Sequence, residues 1–119
     1  MNRARKLLLC VDDEEIGLRM RKLVLEAEGY DVLTANSGRD SLVLLQDNPV
    51  SAVVLDYRMP GMDGETTARE MKRLKPTVPV LMLTAYIDAC RELDAIDGLV
   101  SKGDDPVEFL DAVKQMLAA

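Results

Sequence analysis

The sequence predicts an α/β domain with a doubly wound parallel sheet, in which five strands alternate with five helices. Three observations support this fold class. Five short apolar runs recur along the chain, as expected for strands that are buried on both faces. The segments between the runs carry apolar residues at helical spacing. Polar residues stand where four of the runs end, and in such sheets a ligand binds outside the carboxyl ends of the strands.

The amino-terminal half is predicted to hold three strands, at 6–11, 31–35 and 52–56. A helix is predicted over 14–28, and one of its faces should pack on the sheet. The apolar residues at helical spacing in this helix are Ile16, Met20, Leu23, Val24 and Ala27. Gly29 is placed to end it. Ser37 is the predicted N-cap of a second helix, which ends near Asn48 and Pro49.

The carboxyl-terminal half begins with a segment, 58–64, that is rich in turn formers. A helix over 65–75 follows, and strand four is predicted at 80–84. The pattern then weakens, so only a brief helix is expected within 88–94, before strand five at 98–101. The last helix begins at Pro106, which suits a first helical turn. Its apolar face is predicted from Val107, Leu110, Val113 and Leu117.

Composition bounds the function classes. A length of 119 residues fits one domain, so we expect residues 1–119 to form a single domain with no effector domain. The 21 acidic and 15 basic residues give a net charge of −6, which argues against a broad nucleic-acid interface. No apolar stretch approaches the roughly 20 residues of a membrane span. The two cysteines suit buried positions in a reducing compartment, and a cytoplasmic location is expected.

The polar residues at the strand ends form a recognisable set. An acidic pair, Asp12-Asp13, follows strand one, Thr84-Ala85 follows strand four, and Lys102 follows strand five. Asp56 ends strand three and is followed by Met59-Pro60 and Met62-Asp63-Gly64. Each feature is weak alone, but their order and placement are specific. The chain resembles, over essentially its whole length, the receiver domains of two-component response regulators. This implies the flavodoxin-like strand order 2-1-3-4-5, and here a short or irregular fourth helix.

The resemblance also implies roles for these residues. Asp56 matches the phosphoacceptor, Asp13 a direct ligand of Mg²⁺, and Asp12 an assisting carboxylate that often acts through water. The backbone carbonyl of Arg58 matches a further metal ligand. Lys102 would lie against the phosphoryl oxygens, and the Thr84 hydroxyl would hydrogen-bond them. The implied cofactor is Mg²⁺, which offsets the repulsion between a carboxylate and a phosphoryl group and prefers hard oxygen ligands.

Each residue also has an ordinary structural explanation. Asp12 and Asp13 precede a helix, whose amino terminus favours negative charge. Asp56 suits a turn, Thr84 a β-branched strand position, and Lys102 a solvated surface. The joint pattern nevertheless favours a receiver site over these separate explanations.

Departures from the family pattern concern output more than phosphorylation. Leu99 occupies a position that is aromatic in many receivers, and Gly103 stands where proline usually follows the lysine. The stretch between Thr84 and Lys102 is also shorter than usual by roughly one helical turn. Tyr86 is either a partial substitute for the missing aromatic residue or an exposed loop residue. Arg58 either shields the acyl phosphate from water or pairs with a nearby carboxylate.

The sequence therefore predicts a phosphorylation-dependent signalling switch rather than an enzyme with a free substrate. The expected partners are a sensor histidine kinase or phosphotransfer protein and a downstream protein, with no nucleic acid and no membrane. A pseudo-receiver that binds partners without phosphorylation is the alternative. A haloacid-dehalogenase type of phosphatase is disfavoured, because it needs a second aspartate two positions after its nucleophile, whereas Asp12 and Asp13 are adjacent and Glu14 follows.

Overall fold

The computed structural model describes residues 5–103 and 105–118, and the chain folds there into a five-stranded parallel sheet flanked by helices. The strands are β1 (Leu7–Val11), β2 (Asp31–Ala35), β3 (Ala52–Asp56), β4 (Val80–Thr84) and β5 (Gly98–Ser101). The helices are α1 (Glu15–Ala27), α2 (Gly38–Asp47), α3 (Gly64–Leu74), α4 (Ile87–Cys90) and α5 (Pro106–Ala118). The strand order is β2-β1-β3-β4-β5, as predicted, and every adjacent pair is parallel.

Two apolar layers hold the helices to the sheet. On one face, β-strand residues such as Leu9 and Leu55 pack with Leu45 of α2 and Met71 of α3. On the other face, the core includes residues of α1 and α5, namely Leu18, Leu25, Phe109 and Val113. Since successive strand side chains point to opposite faces, the uninterrupted apolar runs of β1, β3 and β4 serve both layers.

The ends of several helices agree with their sequence signals. Ser37 caps α2, where its hydroxyl accepts a hydrogen bond from the Asp40 backbone N–H at 3.1 Å. Gly29 follows α1 with a φ of +99°, a left-handed conformation that glycine adopts without strain. Asp63 caps α3, accepting from the Thr66 backbone N–H at 2.8 Å, and α5 begins at Pro106 as predicted.

The predicted inward face of α1 is wrong at most of its positions, although Val24 packs against the core. Ile16 is 78% exposed, and Met20 and Leu23 are each 59% exposed, whereas Leu18 and Leu25 are buried on the sheet. Both sets are apolar and at helical spacing, so periodicity alone does not separate them. The direction in which the chain leaves β1 fixes the rotation of the helix and therefore selects the Leu18 face.

The predictions for the carboxyl-terminal helices need two further corrections. Val107 is 61% exposed, and the buried residues of α5 are Phe109 and Val113. The fourth helix is short, as expected, but it spans Ile87–Cys90 instead of lying within 88–94. Cys90 is buried on the α2/α3 side of the sheet while Cys10 belongs to the opposite layer, so both are free thiols in separate parts of the core. Within the described part of the chain, no helix has the length and apolar character needed to cross a membrane.

Candidate functional site

The carboxyl ends of four adjacent strands bring the predicted site residues to one edge of the sheet. The parallel register places Asp56 opposite Leu83 and Thr84 opposite Ser101. Backbone hydrogen bonds continue the ladder past the strand ends, from the Asp12 N–H to the Ala35 carbonyl at 3.2 Å and from the Lys102 N–H to the Thr84 carbonyl at 2.9 Å. These backbone hydrogen bonds therefore fix the positions of Asp12 and Lys102, the residues that follow β1 and β5.

Three carboxylates form the centre of this edge. Oxygens of Asp12, Asp13 and Asp56 all lie within 4.8 Å of one another. Asp12 and Asp56 are buried, with exposures of 1% and 3%, while Asp13 is exposed. Such a set of hard oxygen donors, open to solvent on one side, fits a hard divalent cation such as Mg²⁺.

Lys102 reaches into the centre from the β5 side. Its Nζ lies 2.7 Å from Asp56 Oδ1 and 3.5 Å from Asp12 Oδ2, so one ammonium group contacts two buried carboxylates. Although burial acts to lower the pKa of Lys102, the hydrogen bond and charge of Asp56, together with the charge of Asp12, raise it. Lys102 is thus held as a cation against these two carboxylates.

Asp56 is the carboxylate whose protonation is most affected by this environment. Burial raises the pKa of Asp56, and the adjacent charge of Asp12 acts in the same direction. The hydrogen bond and charge of Lys102 oppose both effects without cancelling them. A divalent cation at the carboxylates would act in the same direction as Lys102 and favour the ionised form of Asp56.

The backbone after Asp56 turns sharply beneath the site. The Gly64 N–H donates to the Tyr57 carbonyl at 2.9 Å, which brings the start of α3 against the end of β3. A Cβ atom on Gly64 would lie 2.6 Å from the Asp56 carbonyl oxygen and 2.7 Å from Tyr57 Cα, so only glycine fits there. Arg58 lies in this turn, and it lines a cavity of about 470 Å³ together with Asp13.

Thr84 and Tyr86 form the β4 side of the site. Thr84 is 1% exposed, and its hydroxyl accepts a hydrogen bond from the Tyr86 backbone N–H at 2.8 Å. The Tyr86 side chain is 50% exposed, and the guanidinium carbon of Arg58 lies 4.4 Å from the centre of its ring. Arg58 therefore contacts an aromatic ring, and none of the ion pairs among the described residues involves it.

The sequence analysis missed one residue that contacts the site. Arg21 of α1 donates from its guanidinium to Asp12 Oδ2. A signal for it exists, because Arg21 lies on the same helical face as the buried Leu18 and Leu25. A cation on the inward face of a helix requires a partner inside the protein.

The comparisons with known proteins agree with this architecture. A family model described as the response regulator receiver domain matches residues 8–114. The Bacillus subtilis protein PhoP, an alkaline phosphatase synthesis transcriptional regulatory protein, is 36% identical over 100 residues, which make up 84% of this chain and 40% of PhoP. The chain spans 42% or less of the length of the curated relatives that were compared.

Solved structures show the same fold. A CheY-like response regulator receiver domain protein from Methanospirillum hungatei superposes with a TM-score of 0.90 at 27% identity, covering 97% of this chain and 95% of that one. The receiver domain of the sensor histidine kinase PA1611 from Pseudomonas aeruginosa has a magnesium ion coordinated in its active-site cleft. It superposes with a TM-score of 0.88 at 23% identity, covering 98% of this chain and 100% of that one, and shows the fold alone.

Proposed function

Because the chain belongs to the response regulator receiver domain family, we propose that its 119 residues form one receiver domain that is phosphorylated on Asp56. The observation that supports this most strongly is the contact of Asp56 with Lys102, at 2.7 Å, within a cluster of three carboxylates. A nucleophilic carboxylate, a fixed cation and hard oxygen ligands for a metal are the groups that phosphoryl transfer to a carboxylate requires.

In the proposed reaction, an Asp56 carboxylate oxygen attacks the phosphorus of a phosphohistidine on a kinase or phosphotransfer protein. The new O–P bond forms as the P–N bond breaks, and the histidine nitrogen leaves with the bonding electron pair. Hydrolysis later returns the Asp56 carboxylate and inorganic phosphate, with water supplying the oxygen.

The metal site is proposed from the same cluster. Asp13 and Asp56 would ligate Mg²⁺ directly, Asp12 would assist, and the Arg58 carbonyl would complete the protein ligands. When bound, Mg²⁺ would neutralise charge on the reacting oxygens. Lys102 supplies a positive charge on the other side, where the ammonium is already fixed by two carboxylates. The Thr84 hydroxyl would donate its proton to a phosphoryl oxygen, because accepting the Tyr86 N–H leaves that proton available.

The proposed output is binding of a downstream protein, with no nucleic acid or membrane as partner. A cytoplasmic location is proposed from the two buried free thiols, which suit a reducing compartment. Leu99 and the one-turn α4 favour the second candidate, a pseudo-receiver that binds its partner without phosphorylation. Both features lie in the region expected to contact the downstream partner. Neither belongs to the five proposed site side chains, Asp12, Asp13, Asp56, Thr84 and Lys102.

Intact-mass analysis distinguishes the two functions. The chain is incubated with Mg²⁺ and a small-molecule phosphodonor, beside the Asp56→Asn variant and a chelator control. The receiver function predicts a mass gain of one phosphoryl group that both controls lack. No mass gain in a chain that still binds Mg²⁺ would contradict the receiver function and favour the pseudo-receiver.

A further inference from the structure

A cation from α1 occupies the carboxylate cluster. The Arg21 guanidinium donates to Asp12 Oδ2, and its side chain is only 18% exposed. The other oxygen, Asp12 Oδ1, accepts the Glu14 backbone N–H at 2.9 Å. With Lys102 Nζ also 3.5 Å from Oδ2, both oxygens of this buried carboxylate face donors. Arg21 therefore holds Asp12 in the position where it borders the proposed metal site.

The path of Arg21 depends on the helix that carries it. Gly17 lies one turn earlier in α1, and a Cβ atom there would lie 3.4 Å from each terminal guanidinium nitrogen and 3.2 Å from Glu14 Oε1. Because glycine has no Cβ atom, the Arg21 side chain can lie along the helix past this position. A cavity of about 170 Å³ adjoins Arg21, lined among others by Met20, Val24 and Phe109. The Arg21 side chain therefore has free space beside it.

The charges show why a movement of Arg21 away from Asp12 would matter. Three carboxylates, Asp12, Asp13 and Asp56, face two cations, Arg21 and Lys102. The cluster is therefore largely neutralised by the protein's own side chains. A divalent cation that binds the same carboxylates meets the repulsion of a guanidinium only a few ångströms away, in an environment that screens charge poorly.

We propose that Arg21 is a positioning residue that competes with Mg²⁺ for Asp12. Without metal, the guanidinium neutralises Asp12 and stabilises the fold. When Mg²⁺ binds, the guanidinium leaves Asp12 Oδ2. Arg21 thus lowers the affinity of the site for Mg²⁺ and raises the Mg²⁺ concentration at which the site fills. This inference rests on the metal site of the proposed function.

The test compares Mg²⁺ affinity in three variants by isothermal titration calorimetry. Arg21→Met removes the charge, Arg21→Lys keeps it, and Arg19→Met removes an exposed charge of the same helix that pairs with Glu15. We expect Arg21→Met to bind Mg²⁺ about tenfold more tightly, since one repelling charge is removed. Arg21→Lys and Arg19→Met should stay close to the wild type. An unchanged or weaker affinity in Arg21→Met would overturn the inference.

Thermal unfolding gives a second readout, in which Arg21→Met should lose stability without metal although it gains Mg²⁺ affinity. In chelator, Arg21→Met should unfold at a lower temperature than the wild type, because it leaves Asp12 without its main counter-ion. Added Mg²⁺ should raise its unfolding temperature by more than it raises that of the wild type. A merely structural Arg21 would lower the unfolding temperature equally with and without Mg²⁺, which would contradict competition.

The wild-type chain provides a test that does not depend on any variant's folding. The Arg21 side-chain N–H signal in a nitrogen-15 NMR spectrum, assigned with Arg21→Lys, should broaden or shift when Mg²⁺ is added, as the guanidinium leaves Asp12. A signal that stays unchanged at saturating Mg²⁺ would overturn the inference while leaving the receiver function intact. Absence of Mg²⁺ binding by the wild type and every variant would overturn both.

Discussion

Asp56 should carry a pH dependence of stability that can be measured directly. Burial raises the pKa of Asp56, with Asp12 acting in the same direction and Lys102 opposing. The folded state then holds this proton more tightly than the unfolded chain, whose aspartates titrate at about pH 3.9. Stability therefore falls as the pH rises from that value through the raised pKa of the folded state.

Asp56→Asn tests this sign, because an amide at this position does not titrate. We expect the variant to be more stable than the wild type above the raised pKa, and this advantage to disappear at acidic pH where Asp56 is protonated. Chemical denaturation in chelator across a pH series measures the free energy of unfolding of both chains. Parallel profiles would show that Asp56 does not cause the pH dependence.

The Arg58–Tyr86 contact should lengthen the life of the acyl phosphate. The guanidinium over the ring joins the loop after β3 to the loop after β4. We expect this contact to limit the approach of water to Asp56. Tyr86→Leu removes the ring, so we expect hydrolysis to accelerate about two- to fivefold, the equivalent of a partly exposed cation–π contact.

Tyr86→Phe is the matched control for that variant, because it keeps the ring and should retain the wild-type lifetime. The loss of the phosphoryl mass after the donor is removed gives the rates. Equal rates in the wild type and in Tyr86→Leu would mean that the stack does not restrict water. Of the two hypotheses for Arg58, faster hydrolysis in Tyr86→Leu would support shielding, and the observed ring contact argues against carboxylate pairing.

At the scale of the element, α1 offers two leucines that differ only in the face they occupy. Leu25 is fully buried against the sheet, and Leu23 is 59% exposed. Leu25→Ala should lower the free energy of unfolding by about 2–5 kcal/mol, because it leaves a cavity in the core. Leu23→Ala should change it by about 0.5 kcal/mol or less, as at other surface sites. Similar losses in denaturant unfolding would mean that the helix is rotated from the described orientation.

The segment between β4 and β5, which contains α4, should be less protected from amide hydrogen exchange than α3. Helix α4 has a single turn, from Ile87 to Cys90, and Tyr86 at its N-cap makes no side-chain capping bond. Only Cys90 in this helix is buried, so little apolar burial resists local opening. Amide hydrogen exchange should be faster in 87–97 than in α3. Uniform protection of this segment at the level of α3 would contradict local opening.

At the scale of the whole molecule, the sheet was the predictable part. β2, β3, β4 and β5 have the predicted bounds. The signal is clearest in β3 and β4, whose apolar runs are buried on both faces and whose polar residues come last. The rotation of α1 was not predictable, since Ile16 and Leu18 are equally apolar and only the packed chain chooses between them. Arg21 was not predicted either, because its inward direction depends on the same rotation of α1. Its partner Asp12 lies nine residues away in sequence, just after β1.

The same sheet edge should couple metal binding to the stability of the entire domain. The proposed Mg²⁺ site exists in the folded cluster and not in the unfolded chain, so Mg²⁺ at a concentration 100 times its dissociation constant should add about 2.7 kcal/mol to the free energy of unfolding. Asp13→Asn removes an exposed carboxylate of the cluster and should lose most of this gain.

Asp111→Asn, an exposed position on α5, makes the same chemical change away from the cluster and should keep the full gain. Urea denaturation with and without Mg²⁺ measures the difference for each chain. Because the three carboxylates follow β1 and end β3, a gain lost only in Asp13→Asn would locate the metal at the sheet edge. An equal gain in both variants would place the bound Mg²⁺ elsewhere.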